Sequence, residues 1–310
     1  MNRRDFVKTM AAASAAATVP FSLSAATRSK KIVVFSKHLQ WLDYQKSAEV
    51  VAQAGLDGVD LTVRPGGHVL PERAEEDLPK AVEAMHNAGL DVPMMTTRIT
   101  SAADPQTEKL LKVASELGIK YYRMGYLSYD DDLGIEGTLK HYRSQMEELA
   151  DVNRQYGVHG AYQNHAGTRV GAPIWDLWLL LKGLDPKHIG IQYDIKHATA
   201  EGGRSWVLGL ELVQDFVRCI VLKDFVWQKR NGEWRDTSVP LGTGMVDFDE
   251  YFKRLKHMNF SGPISLHLEY PLPHETMKNA SEAEKIDETI KVLKRDTGAA
   301  RQLMEKAGLI

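Results

Sequence analysis

Tyr156-Gly157-Val158-His159-Gly160-Ala161-Tyr162-Gln163-Asn164-His165 contains one complete structural junction. A helix end gives way to glycine, glycine to a β-like apolar run from Val158, and the run ends on amide and imidazole side chains. Three later apolar runs end the same way, on Tyr193-Asp194-Ile195-Lys196-His197, Leu222-Lys223-Asp224-Phe225 and His267-Leu268-Glu269-Tyr270. About 25 to 45 residues separate one polar tail from the next, the length of a strand–helix repeat. Polar groups at the C-terminal ends of successive strands mark the active face of a (β/α)8 barrel, whose packed interior otherwise favours Val, Ile and Leu.

Upstream, β-like runs begin at Ile32, Gly58, Val92 and Ile119, and helical patterns fill the intervals: Tyr44–Gln53, Glu72–His86, Gln106–Leu117 and Ile135–Gln155. Downstream helices are expected over Pro173–Leu181, Ser205–Phe216, Phe248–Lys256 and Ala280–Ala307. Ala54-Gly55-Leu56, Ala88-Gly89-Leu90 and Leu117-Gly118-Ile119 repeat the helix–glycine–apolar junction, as a left-handed residue just past each helix requires. Eight alternating units argue for one closed parallel barrel in a single α/β domain. An open doubly wound sheet would need a Gly-rich phosphate loop, and Arg64-Pro65-Gly66-Gly67-His68 lacks that spacing. Lys229-Arg230-Asn231-Gly232-Glu233-Trp234 reads as a hairpin inserted after strand seven.

The chain has 310 residues and a formal net charge of −2, which gives no footprint for nucleic acid or an anionic membrane. Asn2-Arg3-Arg4-Asp5-Phe6-Val7-Lys8 is a twin-arginine signature, followed by an Ala-rich stretch too short to span a bilayer stably. Ser24-Ala25-Ala26 offers small residues for cleavage before Thr27, so residues 1–26 are expected to be a signal peptide and 27–310 the barrel domain. The implied partner is the Tat export machinery and the implied location the periplasm, with an inner-membrane tether if the signal stays uncut. The single cysteine, Cys219, lies in an apolar run and is expected to be a buried, inert thiol. No feature assigns an oligomeric state.

Strand alternation sorts the polar set. Gln163 with His165, Gln192 with Asp194, Val221 with Lys223, and Ser265 with His267 and Glu269 share the inward face. Ile189, Ile191, Leu222, Ile264, Leu266 and Leu268 take the outward one. Arg98 and Arg123, at strands three and four, add cations at the same rim. His68 and Trp227 lie in loops there, and an aromatic at a barrel mouth can stack on a sugar ring. His165 and His197 also admit a structural reading, and Lys223 a plain salt bridge to Glu269 or Asp194.

This pattern resembles the xylose-isomerase-like barrel superfamily of sugar isomerases and epimerases, over essentially the whole chain from Ile32. Asp194 with His197 matches its Asp-x-x-His element, Lys223-Asp224 its Lys-Asp pair, and Gly262 to Glu269 its strand-eight ending. The resemblance implies a divalent metal held by Glu, Asp, His and Glu on strands five to eight. Here Gln163, Val221 and His267 replace three expected residues, and Asp194 alone carries over unchanged. A reduced set of Asp194, His267, Glu269 and Gln163 would hold Mn2+, Zn2+ or Mg2+.

The chemistry so implied is proton abstraction beside a sugar carbonyl. Glu269 or His267 would be the base, Lys223 and Arg123 would stabilise the oxyanion, and His197 would assist. His165, Arg98, Arg123, His68 and Trp227 would bind the substrate, expected to be a neutral mono- or disaccharide derivative. Isomerisation, epimerisation and elimination share that first step, the last covering a lyase or hydrolase of keto-glycosides. A non-catalytic carbohydrate-binding protein on a decayed site is the competing reading.

Overall fold

Closure of the sheet rests on one parallel pairing. Ile32–Phe35 (β1) lies beside Ile264–Leu266 (β10), with Ile32, Val33 and Val34 opposite Ile264, Ser265 and Leu266. In the computed structural model residues 30–310 are described, so the twin-arginine segment and the cleavage point before Thr27 lie outside the described residues. Between the first and last strands come Gly58–Thr62 (β2), Asp91–Thr96 (β3), Tyr121–Arg123 (β4), His159–Gln163 (β5), Ile189–Asp194 (β6) and Val217–Leu222 (β7). Asp224–Arg230 (β8) and Glu233–Val239 (β9) form a separate antiparallel hairpin. The barrel closes in the order β1-β10-β7-β6-β5-β4-β3-β2, every pair parallel. It is a single-domain (β/α)8 barrel.

Helices Tyr44–Gln53 (α1), Ala74–Asn87 (α2), Pro105–Glu116 (α3), Gly134–Tyr156 (α4) and Ile174–Leu181 (α5) fall within two residues of expectation. Ile195–Gly202 (α6), Trp206–Val213 (α7), Phe248–His257 (α8), Pro273–Thr276 (α9) and Glu282–Lys306 (α10) complete the set. The glycine junctions are explained by backbone geometry. Gly157 follows α4 at φ +65°, a left-handed conformation that a Cβ would penalise. At Gly262 the constraint is contact instead, because a Cβ there would stand 1.7 Å from the Arg218 carbonyl oxygen.

Burial separates the two faces of the strands. Ile189, Ile191, Leu222, Ile264, Leu266 and Leu268 join the main core under the helices. Val33, Met94, Ala161 and Cys219, from β1, β3, β5 and β7, form a small buried cluster of their own. Four side chains from alternate strands make one interior layer of a barrel. Cys219 belongs to that layer and is buried, with its thiol pushed well up by desolvation. The expectation of an inert thiol holds.

Helix α6 is absent from the sequence reading, and its cause is local. Asp194 ends β6 in extended geometry (φ −104°, ψ 106°), and its Oδ1 accepts the His197 backbone N–H at 3.2 Å. That is an N-cap, satisfying an otherwise orphaned donor of the first turn. The Asp-x-x-His spacing is thus first a strand-to-helix device. It turns the chain sharply over the barrel mouth and brings His197 back beside Asp194.

Candidate active site

The buried ammonium of Lys223 is the hub of the site. Its Nζ lies 3.0 Å from Asp194 Oδ2, 3.2 Å from Glu269 Oε2 and 3.0 Å from His197 Nε2. A lysine has three N–H donors, and three acceptors surround this one. Burial alone would pull its pKa down, but Asp194 and then Glu269 reverse that, and the net direction is up. Lys223 is therefore a fixed positive charge, buried among two carboxylates and an imidazole. The plain salt bridge left open by the sequence is made twice over, to both carboxylates.

Asp194, fully buried, also accepts Gln163 Nε2 at 2.8 Å. The Gln163 carbonyl oxygen faces the other way, receiving Tyr126 Oη at 2.7 Å and Arg123 Nη1 at 3.2 Å. A charged chain thus runs from Arg123 through Gln163 and Asp194 to Lys223 and Glu269. Glu269 is the member that reaches solvent, its side chain 29% exposed. Burial pushes its pKa up, yet Lys223 and then His267 outweigh that, and it remains an ionised carboxylate.

Two imidazoles stack at the edge of this chain. The rings of His165 and His197 lie 3.9 Å apart at 32°. His197 is kept neutral by burial first and the Lys223 charge second. His165 is half-buried, its pKa lowered mainly by desolvation. Its Nδ1 meets the Ala166 carbonyl oxygen at 2.8 Å, so that nitrogen carries the proton. The Nε2 lone pair, with no partner among the described residues, is left to a cleft of about 480 Å³. His165, His197, Glu269, Trp227 and Trp234 line that cleft. A separate cavity at the N-terminal end of the strands, between Lys31, Tyr121 and Gly262, has no imidazole or carboxylate in its lining.

Other expected residues are placed differently. His267 lines neither the cleft nor the rim. It stacks on Phe35 at 4.2 Å, with Nε2 3.1 Å from Ser265 Oγ and 3.8 Å from Asp60 Oδ2. His68 is a structural pin, its Nε2 3.2 Å from the Leu42 carbonyl oxygen and its ring half-buried against Tyr44. Trp227, 42% exposed, does reach the cleft, and Arg98 lines a neighbouring cavity with Arg123.

The residues expected as metal ligands do not fit a divalent cation. Both available carboxylates face the Lys223 ammonium, the Gln163 oxygen is occupied by Tyr126 and Arg123, and His267 is turned to Ser265 and Asp60. Val221 offers no donor at all. Among the described residues no group of three or more His, Cys, Asp or Glu side chains is arranged to hold a metal. An ammonium ion, not a hard dication, satisfies this set.

Asp60 and Tyr126 were not singled out in the sequence. Asp60 is fully buried in β2 and accepts Thr96 Oγ1 at 2.9 Å and Ser265 Oγ at 2.8 Å. A carboxylate inside the apolar run Gly58–Val63 was a legible signal for it. Tyr126 follows β4 at a strand end, but that strand has only three residues and gave little pattern to extend.

Residues 48–296 match the family model described as xylose isomerase-like TIM barrel. The chain belongs to that family. Residues 1–20 match the twin-arginine translocation signal, which indicates export across the membrane. No helix among the described residues is long and apolar enough to cross a membrane. The fold is similar to that of the IolI protein with a bound zinc atom, at TM-score 0.69 and 17% identity, covering 90% of this chain and 100% of that one. It is also similar to an L-ribulose 3-epimerase, with TM-score 0.65, 13% identity and coverage of 90% and 95%. For the 3-keto-D-glucoside 4-epimerase YcjR of E. coli the values are 0.61, 14%, and 85% and 98%. An uncharacterised protein of Methanocaldococcus jannaschii is 26% identical over 125 residues, 40% of this chain and only 41% of that protein.

Proposed function

We propose that this barrel catalyses proton transfer at a carbon beside a sugar carbonyl, an isomerase- or epimerase-type reaction run on protein charges. The observation that carries the reading is a neutral His165, its Nε2 without a partner among the described residues, lining a cleft shared with the ionised Glu269. Of the two, the imidazole is the stronger base, because the Lys223 ammonium weakens Glu269.

In this mechanism His165 Nε2 takes the proton from the carbon, and the C–H electron pair becomes the enediolate double bond. The former carbonyl oxygen gains the negative charge. Arg123, a buried cation lining the neighbouring cavity, would stabilise that charge electrostatically. Return of the proton from His165 to the neighbouring carbon gives isomerisation, and delivery of a solvent proton to the opposite face of the same carbon gives epimerisation. Loss of a β-substituent gives elimination. Trp227 and Trp234 offer exposed ring faces to the sugar. Names of the similar structures, among them epimerases of ribulose and of a keto-glucoside, point to the same substrate class. The reading also takes residues 1–26 as a signal removed on export and 27–310 as the mature periplasmic barrel.

Keto-sugars incubated with the protein in D2O test it. Carbon-bound deuterium uptake is expected with the native chain, falling by about 10²–10⁴ in His165→Asn, the span of a lost general base. A panel that shows no uptake anywhere overturns the proposal.

A further inference from the structure

A large unpaired charge lies next to the cleft. Arg64 follows β2, Arg98 follows β3, Arg123 ends β4, and Arg169 sits in the loop after β5. All four line one cavity of about 440 Å³ at the barrel mouth. No carboxylate lines it, and Tyr126 and small hydroxyl side chains form much of the rest. Every arginine ion pair among the described residues is made by an arginine elsewhere. Arg123 is 5% exposed, yet its Nε has no hydrogen-bond partner among the described residues.

Four guanidinium groups around one space repel each other, no ion pair among the described residues offsets that, and Tyr126 and Asp60 offset it only in part at Arg64. Arg64 registers the cost: burial lowers its pKa, and the Arg123 charge lowers it further. Guanidinium forks suit planar and tetrahedral oxyanions alike, binding them through paired N–H donors. The position is equally telling. The Tyr126 ring lies 4.8 Å from the Arg123 guanidinium carbon and 5.0 Å from that of Arg169, while its centroid is 5.1 Å from that of His165. One aromatic ring therefore separates the arginine cavity from the lone pair that would take the proton.

We infer that this cavity is an oxyanion subsite, and that the substrate is a sugar bearing a carboxylate, sulfate or phosphate group. This replaces the neutral sugar expected from sequence. It rests on the proposed proton transfer for its role, and on the cavity alone for its binding.

Titration calorimetry of the purified protein at low salt, with D-glucose, D-glucuronate, D-glucose 6-sulfate, D-glucose 6-phosphate and inorganic sulfate, tests it. At least one anionic sugar should bind about tenfold or more tightly than glucose and weaken as salt is added. Which sugar wins assigns carboxylate, sulfate or phosphate, and inorganic sulfate should compete with it. Arg98→Gln with Arg169→Gln should remove the preference. Both residues are exposed, so an unchanged melting temperature certifies the fold. Equal binding of neutral and anionic probes, or a preference that survives the double substitution, overturns the inference. Anion preference without deuterium uptake from any bound sugar leaves the subsite standing and removes the proton-transfer reading. Uptake by neutral keto-sugars with no anion preference does the reverse.

Discussion

Lys223 pairs with Asp194 and Glu269 and meets His197 Nε2, so its removal leaves a buried carboxylate without a cation. Lys223→Met should therefore destabilise the fold by about 3–5 kcal/mol, the range for breaking one half of a buried ion pair. A thermal melt reads this directly, and an unchanged midpoint would show that the hub is not held by that charge. His165 makes a kinetic prediction. Its pKa is lowered, so the neutral, proton-accepting form is complete by neutral pH. kcat/KM should rise with pH through an apparent value below the ordinary 6.5 and then level off. An acid limb centred above 7 would assign the base elsewhere. Asp194, Lys223, His197 and Glu269 were legible as a site because each ends an apolar run. Their roles were not, because sequence spacing does not say that one ammonium would take up both carboxylates.

Among the elements, the β8–β9 hairpin forms one wall of the cleft through Trp227, Trp234 and Asp236. The Asn231-Gly232 pair, at φ +51° and +86°, supplies the left-handed turn that the sequence announced. Seven-residue strands on either side make it longer than the stretch around that turn suggested. Asp236 of β9 forms an ion pair with Lys196 of the unforeseen helix α6, tying the hairpin to the mouth of the barrel. Asp236→Asn should loosen this tie, raising hydrogen-exchange rates of the hairpin amides by about threefold to tenfold while those of the barrel strands hold. KM should rise more than kcat falls, since Trp227 and Trp234 sit on the freed element. Uniform exchange across hairpin and barrel would deny the latch. Helix α6 escaped the sequence reading because its first turn carries the polar residues that looked like chemistry.

On the scale of the whole molecule, the barrel was legible because its signal repeats: eight strand–helix alternations and recurrent glycine junctions agree with one another. The arginine cavity was legible only in part: Arg98 and Arg123 read as rim cations, but Arg64 and Arg169 lie in loops with no spacing that ties them to that pair. The fold also stores a pH dependence. Burial keeps His38 and His197 neutral far below 6.5 and His159 down to about 4, with His267 lowered in the same direction. Folded-state values depressed below the unfolded 6.5 give stability that is full above that pH and is lost as protons are forced on. The melting temperature should be flat from about pH 7 to 8 and fall steadily from about 6.5 towards 4. A midpoint unchanged at pH 5 would contradict the buried neutral histidines.

In the proposed reaction protein charges, with Lys223 in place of a dication, support proton transfer at His165. The most direct test is carbon-bound deuterium uptake by keto-sugars, neutral and anionic, in D2O buffer with excess chelator. Uptake that persists at an undiminished rate and is lost in His165→Asn is the result predicted. Uptake that disappears with chelator and returns on adding Mn2+ or Zn2+ would contradict it.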